Sequence, residues 1–255
     1  MRVCGAGAWG PPKDRAAALA VLRRAHELGH TFFDTADSYG PGDDETLIAE
    51  ALHPYPKDLV IGTKGGLLRP NRNAWDPDGR PAHLIKALEG SLRRLKLECI
   101  DLYQLHSPDG KVPFADSVGA LADARRAGKI RHVGLSNVSV KQLEEARAIV
   151  PVVSVQNRYN LEDRSFDDVL AACATQGIAF LPWYPLGAGA SLRAARLKRV
   201  AARLGATPSQ VAIAWLLARS PVMLPIPGTG SLAHLEENAA AAAIKLSGED
   251  FAALG

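Results

Sequence analysis

The chain has 255 residues, 47% of them hydrophobic, and a formal net charge of +3. This length suits one (β/α)₈ domain of roughly 250 residues, and the hydrophobic content excludes a disordered chain. The small charge excludes nothing by itself, but the basic residues are spread along predicted helices (Arg23, Arg24, Arg93, Arg94, Arg125, Arg126) and leave no footprint for nucleic acid.

Residues 1–13 are rich in Gly and Pro and are expected to be irregular, without the apolar core of a signal peptide. Asp14 caps a helix whose Leu19, Val21, Leu22, Ala25 and Leu28 share one side, and Gly29 ends it. Thr31 to Asp34 reads as a strand. A loop follows, then a helix from Asp44 to Leu52. Leu59 to Thr63 is an apolar strand with Lys64 at its end, and residues 67–80 form a long polar loop containing Trp75. The same alternation then repeats. The helices are His83–Lys96, Phe114–Ala127, Val140–Ile149, Phe166–Thr175, Leu192–Leu204 and Ser209–Arg219. The strands are IDLYQLH, IRHVGLSN, VVSVQNRYN, IAFLPWY and VMLPIPGTG, and Ser231 caps a last helix, LAHLEENAAAA. Seven unbroken apolar strands alternating with helices predict one domain with a parallel sheet under helices. A doubly wound sheet would carry G-x-G-x-x-G after its first strand. GAGAWG follows no strand, so the expected class is α/β, a (β/α)₈ barrel.

No apolar run approaches the roughly 18 residues of a membrane helix. Cys4, Cys99 and Cys173 are odd in number and lack C-x-x-C spacing, which predicts no disulfide framework and no metal site, and fits a cytoplasmic location.

In such barrels the working residues sit at the C-terminal ends of the strands. Here those ends carry Asp34, Lys64, His106, Ser136 and Asn137, Gln156 and Asn157, Trp183 and the IPGTGS tip. A phenol has an ordinary pKa of about 10, and a nearby ammonium lowers it. Asp34 holding Lys64, and Lys64 acting on Tyr39, therefore form a relay that protonates an alkoxide. His106 adds a donor for a carbonyl oxygen. Hydride from a nicotinamide would make the reaction a carbonyl reduction. Trp183 suits stacking on that ring, Ser136, Asn137 and Gln156 suit its carboxamide, and GTGS before a helix suits phosphate. A Schiff-base lyase using Lys64 and a non-catalytic nicotinamide-binding barrel are the competing readings.

FDTADSYG, TKGG, IDLYQLHSPD, IRHVGLSN, VQNRYN, PWYPLGAG and PIPGTGSLAHLEEN, in this order, resemble the aldo-keto reductase superfamily from about Trp9 to the C-terminus. The resemblance implies an NAD(P)H-dependent oxidoreductase with the tetrad Asp34, Tyr39, Lys64 and His106, and with Tyr39 as general acid. It implies NADP as cofactor, with NAD as the alternative, held by Ser136, Asn137, Gln156, Trp183, Leu186, Gly187, Ile226, Gly228, Thr229, Ser231, His234, Glu237 and Asn238. Trp9 and Trp75 fall in the substrate pocket, and the partner is a small carbonyl compound, with pyridoxal the first candidate by analogy. No nucleic acid, membrane or metal is expected.

Three departures stand out. The family's N-terminal hairpin and first barrel strand precede the point where this chain begins, so a barrel without that strand, with open edges beside it, is expected. No Lys or Arg stands at Gly228, Gly230 or His234, where relatives hold the cofactor's 2′-phosphate. The loop after PLGAG is short.

Overall fold

The first helix begins where the side chain of Asp14 accepts the amide of Ala17 at 2.9 Å, an N-cap that satisfies one donor of the opening turn. In the computed structural model, which describes residues 3–189 and 191–255, this helix, α1 (Arg15–Glu27), buries Ala18, Val21, Leu22 and Ala25. Val21, Leu22 and Ala25 belong to the expected stripe, Ala18 joins them, and Leu19 and Leu28 are only half-buried. Gly29, at φ +87°, turns the chain away in the left-handed conformation that glycine adopts without strain. The chain divides into two compact units, one running to Ser154 and including Gly228–Leu232, the other made of Val155–Pro227 and Ala233–Gly255.

The first unit continues through β1 (Phe32–Asp34), α2 (Asp43–Leu52), β2 (Val60–Gly65), β3 (Leu67–Leu68), β4 (Asp76–Pro77) and α3 (Pro81–Leu95). Next come β5 (Ile100–Leu105), α4 (Phe114–Arg126), β6 (Ile130–Ser136), α5 (Val140–Arg147) and the start of β7 (Val152–Gln156). β1 pairs with β2, β2 with β5 and β5 with β6, all in parallel. Phe33, Ile61, Leu105, Val133 and Leu135 are buried to 1% exposure or less, as strands covered on both faces require. The register sets Asp34 opposite Gly62 and places Lys64, Gln104 and Gly134 in one row.

The second unit takes β7 onward through α6 (Asp167–Gln176), β8 (Ala179–Phe180), α7 (Ala195–Arg203), α8 (Pro208–Arg219), α9 (Leu232–Ala240) and α10 (Gly248–Leu254). Its core centres on the fully buried Trp215, stacked on Tyr159 at 6.2 Å and on Phe251 at 6.0 Å between ring centroids. The sheet order is β1-β2-β5-β6-β7-β8.

Five expectations need correction. VMLPIPGTG forms no strand; Met223 makes a single bridge to Phe180, because Pro225 and Pro227 have no N–H to give a ladder. IAFLPWY likewise shortens to Ala179–Phe180, ahead of Pro182. The loop 67–80 contains a small antiparallel pair, β3 with β4. The helix expected from Leu192 opens with a 3₁₀ turn and becomes α-helical only at Ala195, and the last helix is α10, capped by Ser247. Met1, Arg2 and Ala190 lie outside the described residues. Among the described residues β1 has one strand neighbour, β2, and no helix is long and apolar enough to cross a membrane.

Candidate active site

The first unit assembles its polar centre by register. Lys64 is fully buried, and its Nζ donates to Asp34 Oδ2 and to the Thr35 carbonyl, both at 2.7 Å. The other Asp34 oxygen accepts from Gln104 Nε2 at 2.9 Å. Gln104 reaches it because the next residue in the row is Gly134, where a Cβ would come within 2.7 Å of Gln104 Cγ and 2.3 Å of Ser154 Oγ. Any side chain there would push the amide aside. Burial opposes the Lys64 charge, yet Asp34 and then Tyr39 outweigh it and raise the pKa of Lys64. An amine nucleophile needs the opposite shift, so the Schiff-base reading loses its basis.

Tyr39 follows in the loop after β1. Lys64 Nζ lies 5.1 Å from the centre of its ring, and the His106 ring meets it edge-on at 5.9 Å. Burial pushes the phenol's pKa up; the charge of Lys64 and its hydrogen bond pull it down without overcoming burial. The lowering expected from the lysine is present, but the net shift runs upward, because the sequence shows the cation and not the desolvation. At neutral pH Tyr39 therefore holds its proton, as an acid must.

His106, at the end of β5, is 7% exposed. Burial, then the charges of Lys64 and Arg69, hold its pKa well below the usual imidazole value, so the ring is neutral. Its Nδ1 lies 3.3 Å from the Ser38 hydroxyl. With that hydroxyl donating, the ring proton sits on Nε2 and is available to a carbonyl oxygen. Trp75 stands edge-on to both Tyr39 and His106, at 6.3 and 6.4 Å.

Asp37 lies in the same loop. Its Oδ1 has no hydrogen-bond partner. Burial, then the charge of Glu45, pushes its carboxyl up to about 8, against the pull of Arg94. A group raised in the folded state loses stability as pH climbs from its unfolded pKa, about 3.9 for Asp, through that folded value. In urea unfolding, Asp37→Asn should therefore gain on the parent chain progressively across that window and level off above it. A stability difference independent of pH over the window would contradict the assignment.

The other expected site residues fall into the two units. The first holds Trp9, half-buried, and Trp75, 40% exposed. It also holds Ser136, Gly228, Thr229, Ser231 and Asn137, which adopts the left-handed region at φ +58° and donates from Nδ2 to the His106 carbonyl at 3.0 Å. The Ser231 amide donates to Thr229 Oγ1 at 3.1 Å, folding the glycine-rich tip just ahead of α9. The second unit holds Gln156, Trp183, Leu186, Gly187, Ile226, His234, Glu237 and Asn238. There the Trp183 ring is half-buried and meets Tyr184 edge-on at 5.2 Å. Glu237 accepts from Thr207 Oγ1 at 2.6 Å, which ties it to the capping box that opens α8. Among the described residues no group of three or more His, Cys, Asp or Glu side chains could hold a metal.

The Aldo/keto reductase family model matches residues 3–255. The chain belongs to this family. An uncharacterized oxidoreductase of Schizosaccharomyces pombe, C215.11c, is 51% identical over 255 residues, spanning 100% of this chain and 83% of that protein. Pyridoxine 4-dehydrogenase of Escherichia coli is 47% identical over 255 residues, 98% of this chain and 89% of that enzyme. Among solved structures, an aldo/keto reductase from Klebsiella pneumoniae in complex with NADP and acetate superposes with a TM-score of 0.84 at 28% identity, over 100% of this chain and 87% of that one. The reductase thus has the expected (β/α)₈ fold class and is an NAD(P)H-dependent oxidoreductase acting on small carbonyl compounds.

Gln104, Ser38 and Arg69 were not anticipated from the sequence. Gln104 could have been: it lies two residues before His106, and strand alternation puts both on one face. Ser38 and Arg69 sit in loops whose sequence carries no period.

Proposed function

We propose that the reductase converts an aldehyde or ketone to an alcohol with Tyr39 as general acid. The observation that carries this reading is the buried Lys64–Asp34 pair at 2.7 Å, with the Tyr39 ring beside the ammonium and His106 edge-on to Tyr39. A bound nicotinamide dinucleotide supplies hydride to the carbonyl carbon. The Nε2–H of His106 orients the carbonyl oxygen, and Tyr39 gives that oxygen its proton as charge develops there. Lys64, held by Asp34, stabilises the phenolate left behind.

The residue types support a nicotinamide cofactor: in the first unit, a hydroxyl and an amide at Ser136 and Asn137 suit a carboxamide and the Gly-Thr-Gly-Ser turn ahead of α9 suits phosphate; in the second, Gln156 offers an amide and Trp183 a half-buried indole for stacking. We assign NADP as the cofactor, with weak discrimination against NAD, since Gly228, Gly230 and His234 offer no guanidinium for a 2′-phosphate and neutral donors hold phosphate less strongly than Arg. The NADP complex of the Klebsiella pneumoniae reductase supports the assignment. One catalytic domain and a reducing, cytoplasmic setting suit the full-length family match and the three free cysteines.

Pyridoxal is the first substrate to try, given the 47% identity to pyridoxine 4-dehydrogenase. Loss of nicotinamide absorbance with pyridoxal and a panel of aldehydes, using each cofactor, tests the reading. Turnover with both cofactors and a modest preference in kcat/KM for NADPH is expected. Absence of turnover with every carbonyl compound would refute it, and a preference for NADPH of several orders of magnitude would mean that a cation elsewhere reads the 2′-phosphate.

A further inference from the structure

Arg69 follows β3 and is 9% exposed, yet among the described residues no carboxylate pairs with it. A buried guanidinium without a counter-ion is costly unless its donors are used. The two terminal nitrogens use theirs on backbone carbonyls, Nη1 on Ala8 at 3.1 Å and Ser38 at 3.4 Å, Nη2 on Gly7 at 3.2 Å and Arg72 at 2.8 Å, while Nε is left without a hydrogen-bond partner among the described residues. Three segments distant in sequence are thereby joined: the N-terminal turn, the loop that carries Tyr39, and the loop that carries Trp75. The guanidinium plane also lies over two indoles, 3.6 Å from the centre of Trp75 and 5.4 Å from that of Trp9. Trp75 in turn stands edge-on to Tyr39 and His106.

A 40%-exposed indole on a polar loop would otherwise lose its place among several rotamers. Stacking on a fixed cation, itself anchored by four carbonyls, removes that freedom before any substrate arrives, and preorganisation of this kind strengthens binding. We propose that Arg69 is a positioning residue that gives this reductase a preference for flat aromatic carbonyl compounds, by holding the Trp75 indole beside the Tyr39 phenol. This inference rests on the carbonyl-reducing reading above. It assigns Arg69 no contact with substrate.

The test compares benzaldehyde with propanal in the parent chain, Arg69→Lys, Trp75→Leu and the double variant. Lysine keeps the charge but loses the planar fork that bonds and stacks at once. An aromatic contact of this type is worth about three- to tenfold in binding. In Arg69→Lys, kcat/KM for benzaldehyde should fall by about that factor relative to propanal, with the loss in KM. Quenching of tryptophan emission by benzaldehyde should weaken in parallel. In the Trp75→Leu background, Arg69→Lys should have little further effect on the ratio.

Equal losses for the two aldehydes, or additive effects in the double variant, would reduce Arg69 to a loop anchor and overturn the proposal. A Trp75→Leu chain that keeps its preference for benzaldehyde would do so without any Arg69 variant. Quenching needs no turnover. A parent chain that binds benzaldehyde but leaves it unreduced would therefore contradict the catalytic reading alone, while the role of Arg69 is still judged by binding.

Discussion

Lys64→Met should lose stability and rate together. The ammonium is fully buried and bonds Asp34 and the Thr35 carbonyl. Methionine fills similar volume but takes the ammonium from the buried Asp34 carboxylate, which still accepts from Gln104. Removing one member of a buried pair costs about 3–5 kcal/mol, mostly because the other charge is stranded. The pair's contribution has a definite pH sense. The pKa of Lys64 is raised in the folded chain, so its stabilisation is present below the unfolded value, about 10.4, and fades as pH rises through the folded one. Urea unfolding at neutral pH should show the full deficit. Adding Asp34→Asn should recover much of the stability and none of the rate, because the second change removes the stranded charge without restoring the ammonium. A single variant as stable as the parent would mean that the Lys64–Asp34 pair does not hold the fold; a variant with unchanged turnover would take Lys64 out of the reaction.

Tyr39→Phe should lower kcat by about 10²–10⁴-fold, the range for removing a general acid, with cofactor affinity retained. The phenol's pKa is raised mainly by burial, so the group is protonated at rest, and its ring already packs against His106 and Trp75. Phenylalanine preserves those ring contacts and removes only the hydroxyl. The expected loss therefore lies in kcat rather than in folding. Turnover within threefold of the parent chain would assign the proton to another donor.

The strand ends were legible because an acid, a lysine and a histidine each close an apolar run, and such residues at those places have few structural uses. The parallel run of the strands also followed from alternation. Legibility ended where the pattern became short or the environment mattered. β3 and β4 have two residues each, too few for a period. The VMLPIPGTG segment is apolar enough for a strand, and its prolines decide otherwise. The direction of the Tyr39 shift depends on burial, which no spacing reveals. Arg69 carried no signal in the sequence, because its carbonyl partners at Gly7, Ala8 and Ser38 lie far from it along the chain.

The central claim is that this site delivers hydride to a carbonyl carbon and a proton from Tyr39 to its oxygen. Isotope transfer tests it most directly. NADPH carrying deuterium at the transferable position is incubated with benzaldehyde and the parent chain or Tyr39→Phe, and the product is examined by mass spectrometry and NMR. The parent chain should form benzyl alcohol with one deuterium on the former carbonyl carbon for each cofactor oxidised, and Tyr39→Phe should bind the cofactor but form the labelled alcohol at a rate lower by at least about 10²-fold. Alcohol without the label, or labelled alcohol at the parental rate from Tyr39→Phe, would contradict it.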